Sequence, residues 1–192
     1  GAARHGVVIE DNSYSNIIGG AATGAGNVIS GSYAGGIVIS SSTYQNTVQG
    51  NSIGTDATGA GAIGNDIGIW IESYQNTVYN NTIAYSSGVG IDLKNTVDAT
   101  SNTLSANRLY SNGGLGIDLG DDGVTPNDAA PDSDTGPNNR QNFPILSYAA
   151  TTATAMVVGG ELTSALNASY TIEFFYVTRA DVSGYGESDE YL

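Results

Sequence analysis

Apolar residues recur along this chain in short phrases opened by glycine: Gly6-Val7-Val8-Ile9, Gly36-Ile37-Val38-Ile39, Gly68-Ile69-Trp70-Ile71, Gly90-Ile91-Asp92-Leu93 and Gly116-Ile117-Asp118-Leu119. Their starts are 30, 32, 22 and 26 residues apart. Between them two further columns repeat in fixed order. One reads Asn16-Ile17-Ile18, Asn46-Thr47-Val48, Asn76-Thr77-Val78 and Asn102-Thr103-Leu104; the other reads Asn27-Val28-Ile29, Asn51-Ser52-Ile53, Asn81-Thr82-Ile83 and Asn107-Arg108-Leu109. A period of this length marks a chain that winds into stacked units. Three short strands with tight corners fit a coil of about 22 residues, and coils stacked about 4.8 Å apart let each strand pair with its copy above and below. The pattern therefore predicts an all-β, right-handed parallel β-helix of about five rungs with three strands per rung. Alternation turns Ile37 and Ile39 inward and Val38 and Ser40 outward. The corner Asn residues are expected to stack as amide ladders, since Asn tolerates left-handed backbone and can bond its copy one rung away.

The stretches from Asn16 to Gly31, from Gly50 to Asp56 and from Gly116 to Pro144 resemble bacterial secreted and surface proteins built from parallel β-helix repeats, within the wider pectin-lyase-like group. The resemblance implies fold more than chemistry, because such helices serve as lyases, hydrolases, epimerases, adhesins and stalks. Neither a compact acid motif nor an arginine base of the catalytic families is present, so the resemblance carries over no catalytic residue.

Three regions follow from the pattern. Residues 6–120 read as the helix, with Gly/Ala-rich insertions at 19–26 and 54–66 leaving at corners. Residues 121–146 read as an acidic Asp/Asn/Pro-rich linker or cap. Residues 147–192 read as a partial β-sandwich-like segment with strands at 155–158 and 169–177, the second clearly alternating. Two or three strands cannot make a sandwich core alone. This tail is expected to lean on the last rungs, to self-associate through its strands, or to belong to a further domain.

Composition narrows the partners. The chain has no cysteine and a formal charge of −14, from 19 acidic residues against Arg4, Lys94, Arg108, Arg140 and Arg179. That charge excludes nucleic acid and anionic membrane surfaces, which need a basic face, and it disfavours a polyuronate. No apolar run is long enough to span a bilayer.

Candidate chemistry gathers on the outer face of the first column, which presents Val8, Val38, Trp70, Asp92 and Asp118, with Glu10, Ser40, Glu72, Lys94 and Gly120 two residues later. In register, Asp92 and Asp118 stand about 5 Å apart, a separation that suits the carboxyl pair of a retaining glycosidase and equally two ligands of one calcium ion. Asp92, Asp118 and Glu72 are thus the catalytic candidates. Trp70 and Lys94 are the substrate-binding candidates, Trp70 being either a sugar platform or a ring covered by a loop. Lys94 most simply relieves the repulsion of its acidic neighbours, which raise a lysine pKa and oppose its use as a base. Asp118, Asp121, Asp122, Asp128, Asp132 and Asp134, with Gly123 and Gly136 for sharp turns, read either as calcium ligands or as an Asx-turn loop bonded to its own backbone. His5 reads as a surface residue. The leading expectation is a non-catalytic extracellular or cell-surface module, a stalk or adhesive scaffold that contacts a glycan or another surface protein. The alternative is a polysaccharide hydrolase or lyase acting on the Trp70 face.

Overall fold

The computed structural model describes residues 4–177 and 184–192. The glycine-led phrases form a first sheet in which β1 (Val7–Ile9), β4 (Gly35–Ile39), β7 (Ile67–Ile71), β10 (Ile91–Leu93) and β13 (Ile117–Leu119) lie side by side, all parallel. A second sheet holds β2 (Ile17–Gly19), β5 (Thr47–Gln49), β8 (Thr77–Tyr79) and β11 (Thr103–Ser105). The third holds β3 (Val28–Ile29), β6 (Ser52–Ile53), β9 (Thr82–Ala84) and β12 (Arg108–Tyr110). These are the three columns of the sequence, wound into four complete turns and the first strand of a fifth.

Alternation fills the coil. Ile9, Ile39, Ile71, Leu93 and Leu119 stand opposite one another on the first sheet, and Ile18, Val48, Val78 and Leu104 do so on the second. With Ile29, Ile53, Ile83 and Leu109 from the third they belong to one continuous core. Each fully buried aliphatic side chain contributes about 1.5–3 kcal/mol relative to exposure. The glycine that opens each of the first four phrases has a steric cause: a Cβ on Gly68 would lie 2.4 Å from the carbonyl oxygen of Gly90 in the next rung, and one on Gly36 would lie 2.8 Å from that of Gly68, whereas at Gly116 the nearest atoms would stand 3.7 Å away.

Two Asn ladders run up the corners. Asn16, Asn46 and Asn76 each donate both backbone N–H and side-chain Nδ2 to Oδ1 of the next rung's Asn, at 2.9–3.2 Å. Asn27, Asn51 and Asn81 do the same toward Asn107. The left-handed backbone expected of these Asn falls instead on the residue before: Ser15, Gln45, Gln75 and Ser101 have φ of 56–58°. Asn is required here for its amide, which satisfies the buried corner N–H that no strand partner reaches. Asn76→Ala would orphan the Asn46 donors and should cost about 1–3 kcal/mol for each one left buried. Chemical denaturation of that variant checks the ladder, and a loss no larger than that of an exposed Asn→Ala change would count against it.

The tail departs from expectation. Residues 169–177 do not form one long strand: only β16 (Phe175–Tyr176) pairs, with β17 (Glu190–Tyr191). The alternation of that stretch lacks a neighbouring strand along most of its length. An antiparallel hairpin of β14 (Ile145–Thr151) and β15 (Met156–Glu161) precedes it, and every residue of β14 is exposed. The tail meets the last rung through polar caps. Asn138 Oδ1 accepts from Asn102 N (2.9 Å), ending the first Asn ladder, while Glu173 Oε2 accepts from Ala106 N (2.9 Å). Glu187 Oε1 accepts from Asn112 N (3.1 Å), and Ser188 O accepts from Leu109 N (2.9 Å). Edge N–H groups that would otherwise invite another strand are thereby occupied.

Candidate functional site

The outer face of the first sheet brings the predicted residues together. Val38, Trp70, Asp92 and Asp118 are successive register partners on β4, β7, β10 and β13. Lys94 turns back over this row. Its Nζ lies 2.6 Å from Asp92 Oδ2, 2.8 Å from Asp121 Oδ2 and 4.4 Å from the centre of the Trp70 ring. The indole Nε1 donates to Glu72 Oε1 (3.1 Å), and the His5 ring stands edge-on to the indole at 6.3 Å. Half-buried Trp70 thus has one face occupied by an ammonium group.

Outward position does not mean exposure on this sheet. The Asp92 side chain is 0% exposed and Asp118 only 4%. Oδ1 of each lacks a hydrogen-bond partner among the described residues, while Asp118 Oδ2 accepts from Gly123 N (3.0 Å). Burial pushes the Asp92 carboxyl up to about 6, against the lowering influence of Lys94. It also raises Asp118, opposed by the Gly123 and Asp122 N–H groups. Burial pulls Lys94 down, but its bonds to Asp121 and Asp92 outweigh that and leave it above the ordinary lysine value. The group is a locked cation with carboxylates on two sides, and a lysine so held is not a base.

The acidic loop does not converge on a point. Asp121 pairs with Lys94 and Asp122 with Arg140 (3.2 Å). Asp128 Oδ1 accepts from Asn142 Nδ2 (3.0 Å), Asp132 Oδ2 from Ser164 Oγ, and half-buried Asp134 shares none of these contacts. Among the described residues no group of three or more His, Cys, Asp or Glu side chains could hold a metal ion.

Two features of the outer surface escaped the sequence reading. Tyr14, Tyr44 and Tyr74 form a stacked ladder with centroids 5.2 and 5.5 Å apart and rings within 9° of parallel. Their 30-residue spacing was the available signal. His5 is tied in as well, its Nδ1 accepting from Gly35 N (3.2 Å), which only the stacking of rungs reveals.

These features define a parallel β-solenoid with a closed acidic face. Residues 1–127 of the 192 match the model of the NosD family, described as periplasmic copper-binding protein, and the chain belongs to that family. No curated protein and no solved structure matches the chain. The calcium expectation for Asp118, Asp121, Asp122, Asp128, Asp132 and Asp134 is corrected: the family is described by copper, all but Asp134 of these carboxylates are engaged by separate protein donors, and among the described residues they form no group that could hold a metal ion. Copper does not fit this chain's residues either. Copper favours imidazole, thiolate and thioether donors, whereas the chain has a single histidine, a single methionine and no cysteine. The histidine Nδ1 is already taken by Gly35 N–H. No helix among the described residues is long and apolar enough to cross a membrane.

Proposed function

We propose that the chain is a non-catalytic β-solenoid module of the bacterial envelope, a rigid scaffold whose outer surfaces meet other molecules. The family's periplasmic description supports an exported location, which agrees with the acidic, cysteine-free composition. The observation that carries the non-catalytic reading is the closure of the first-sheet face. A general acid or nucleophile must reach its substrate within hydrogen-bond distance, and Asp92 and Asp118 are sealed beneath Lys94 and the 120–123 turn. Both carboxyls are moreover shifted in the same direction by burial, where an acid–base pair needs opposed environments.

A reducing-sugar assay over neutral and acidic polysaccharides tests this reading. No cleavage is expected from the parent chain or from Asp92→Asn. Turnover that disappears in Asp92→Asn and persists in Glu161→Gln, on the exposed end of β15, would establish the enzyme instead.

A further inference from the structure

The insertion after β6 folds back over the third sheet. Thr55 and Ala62 form an antiparallel bridge, and Asp56 N donates to Gly61 O (2.8 Å). The Asp56 carboxylate turns into the loop and accepts from Thr58 Oγ1 (2.6 Å), Thr58 N (2.9 Å) and Ala60 N (3.3 Å). From the sheet side, Tyr110 Oη donates to Gly59 O (2.6 Å) and Tyr85 Oη to Ala60 O (3.3 Å), pinning the tip. Between loop and sheet lies a groove of about 530 Å³.

Its floor is a row. Ser52, Thr82 and Arg108 are register partners on β6, β9 and β12, one rung apart. The Ser52 and Thr82 hydroxyls make no hydrogen bond among the described residues. Arg108 Nε donates to Asp189 O (2.5 Å), and the guanidinium stands 4.7 Å over the Tyr110 ring. Lys94 and Arg140 are each paired with carboxylates, whereas Arg108 has no carboxylate within ion-pair distance among the described residues. On a chain of net charge −14, an arginine that lines a groove beside vacant hydroxyls, its guanidinium held against the Tyr110 ring, is a recognition element. Its planar fork suits a carboxylate. The hydroxyls suit a polyol, and the two tyrosines, packed edge to face at 5.5 Å, provide an aromatic wall.

We propose that this groove binds an oligosaccharide bearing a single carboxylate, the acid group on Arg108 and neutral sugar hydroxyls on Thr82 and Ser52. One cation cannot offset a row of charges on so acidic a chain, so a polyuronate or nucleic acid is excluded by repulsion. The inference deepens the non-catalytic reading and rests on it: Asp56, the carboxylate of the loop, is held by bonds within its own loop, and among the described residues no pair of carboxylates lines the groove.

The test is calorimetric titration of the chain with xylotriose carrying one glucuronate branch, beside unbranched xylotriose and trigalacturonate. Saturable binding is expected for the branched probe alone, weakening by about tenfold or more in Arg108→Gln, as loss of a charge-assisted bond implies. Thr82→Val keeps the arginine and its Asp189 contact and should also weaken binding; unchanged melting curves would show that neither variant perturbs the fold. Equal affinity for unbranched xylotriose, affinity unaltered in both variants, or no binding of the branched probe would overturn the proposal. Hydrolysis of a probe bound through Arg108 would uphold the site and refute only the absence of catalysis.

Discussion

Ile71→Asp should destabilise the solenoid by several kcal/mol and lower its melting temperature by roughly 10 °C or more. Ile71 is 0% exposed and sits between Ile39 and Leu93 in the first-sheet stack, inside a core cluster made of aliphatic side chains. The carboxylate must either stay ionised without a partner or take up a proton at the expense of its ordinary pKa. Because each rung contacts only its neighbours, the lesion divides the coil into two short halves. Ile17→Asp is the matched control: Ile17 is 69% exposed and points away from the core one residue before inward Ile18. A melting temperature within a degree or two of the parent for Ile71→Asp would mean that the stacking register is wrong.

That register was legible because three separate columns had to agree. Glycine, asparagine and the inward aliphatic residue each recur in the same order on every turn, and a slip of one residue would have turned all the inward residues to solvent. The acidic face was harder to read. Alternation correctly sent Asp92 and Asp118 outward, but on this sheet the outward side is roofed by Lys94, Asp121 and the turn at Gly123, and the Lys94–Asp121 contact joins residues 27 positions apart. Sequence spacing assigns a side to a residue and does not reveal what a connecting segment lays over it. The same limit applies to the loop carboxylates. Clustered in sequence, they looked like one ligand set, yet Asp122, Asp128 and Asp132 each found a different protein donor. The tail misled in the opposite sense, since the alternation at 169–177 describes a strand only where a partner such as β17 lies alongside. Arg108 stood in the third column in line with Ser52 and Thr82; that a loop closes over this row to make a groove emerges only from the bonds of Tyr85 and Tyr110 to Ala60 and Gly59.

The closed face makes a second large effect measurable through pH. Asp92 has a carboxyl raised to about 6 in the folded chain, chiefly by burial, against about 3.9 for an unfolded aspartate. Between those values the folded state holds a proton that the unfolded state has released, so stability falls as pH rises. The contribution is fully present below about pH 4 and lost above about pH 6, and it amounts to about 3 kcal/mol. The groups facing Asp92 set the sign: Lys94 favours ionisation, Asp121 and Asp118 oppose it, and burial exceeds them all. Asp118 is raised by burial as well and adds to the trend. Asp92→Asn keeps the shape and removes the titration, while Lys94 retains Asp121 as its partner. Relative to that variant, the parent should lose stability steadily from pH 4 to pH 6 in denaturant titrations, and the variant should match or exceed the parent at pH 7. A parent–variant difference that stays constant across that window would show that Asp92 is ionised throughout, and hence that the face is open to solvent and available for chemistry after all.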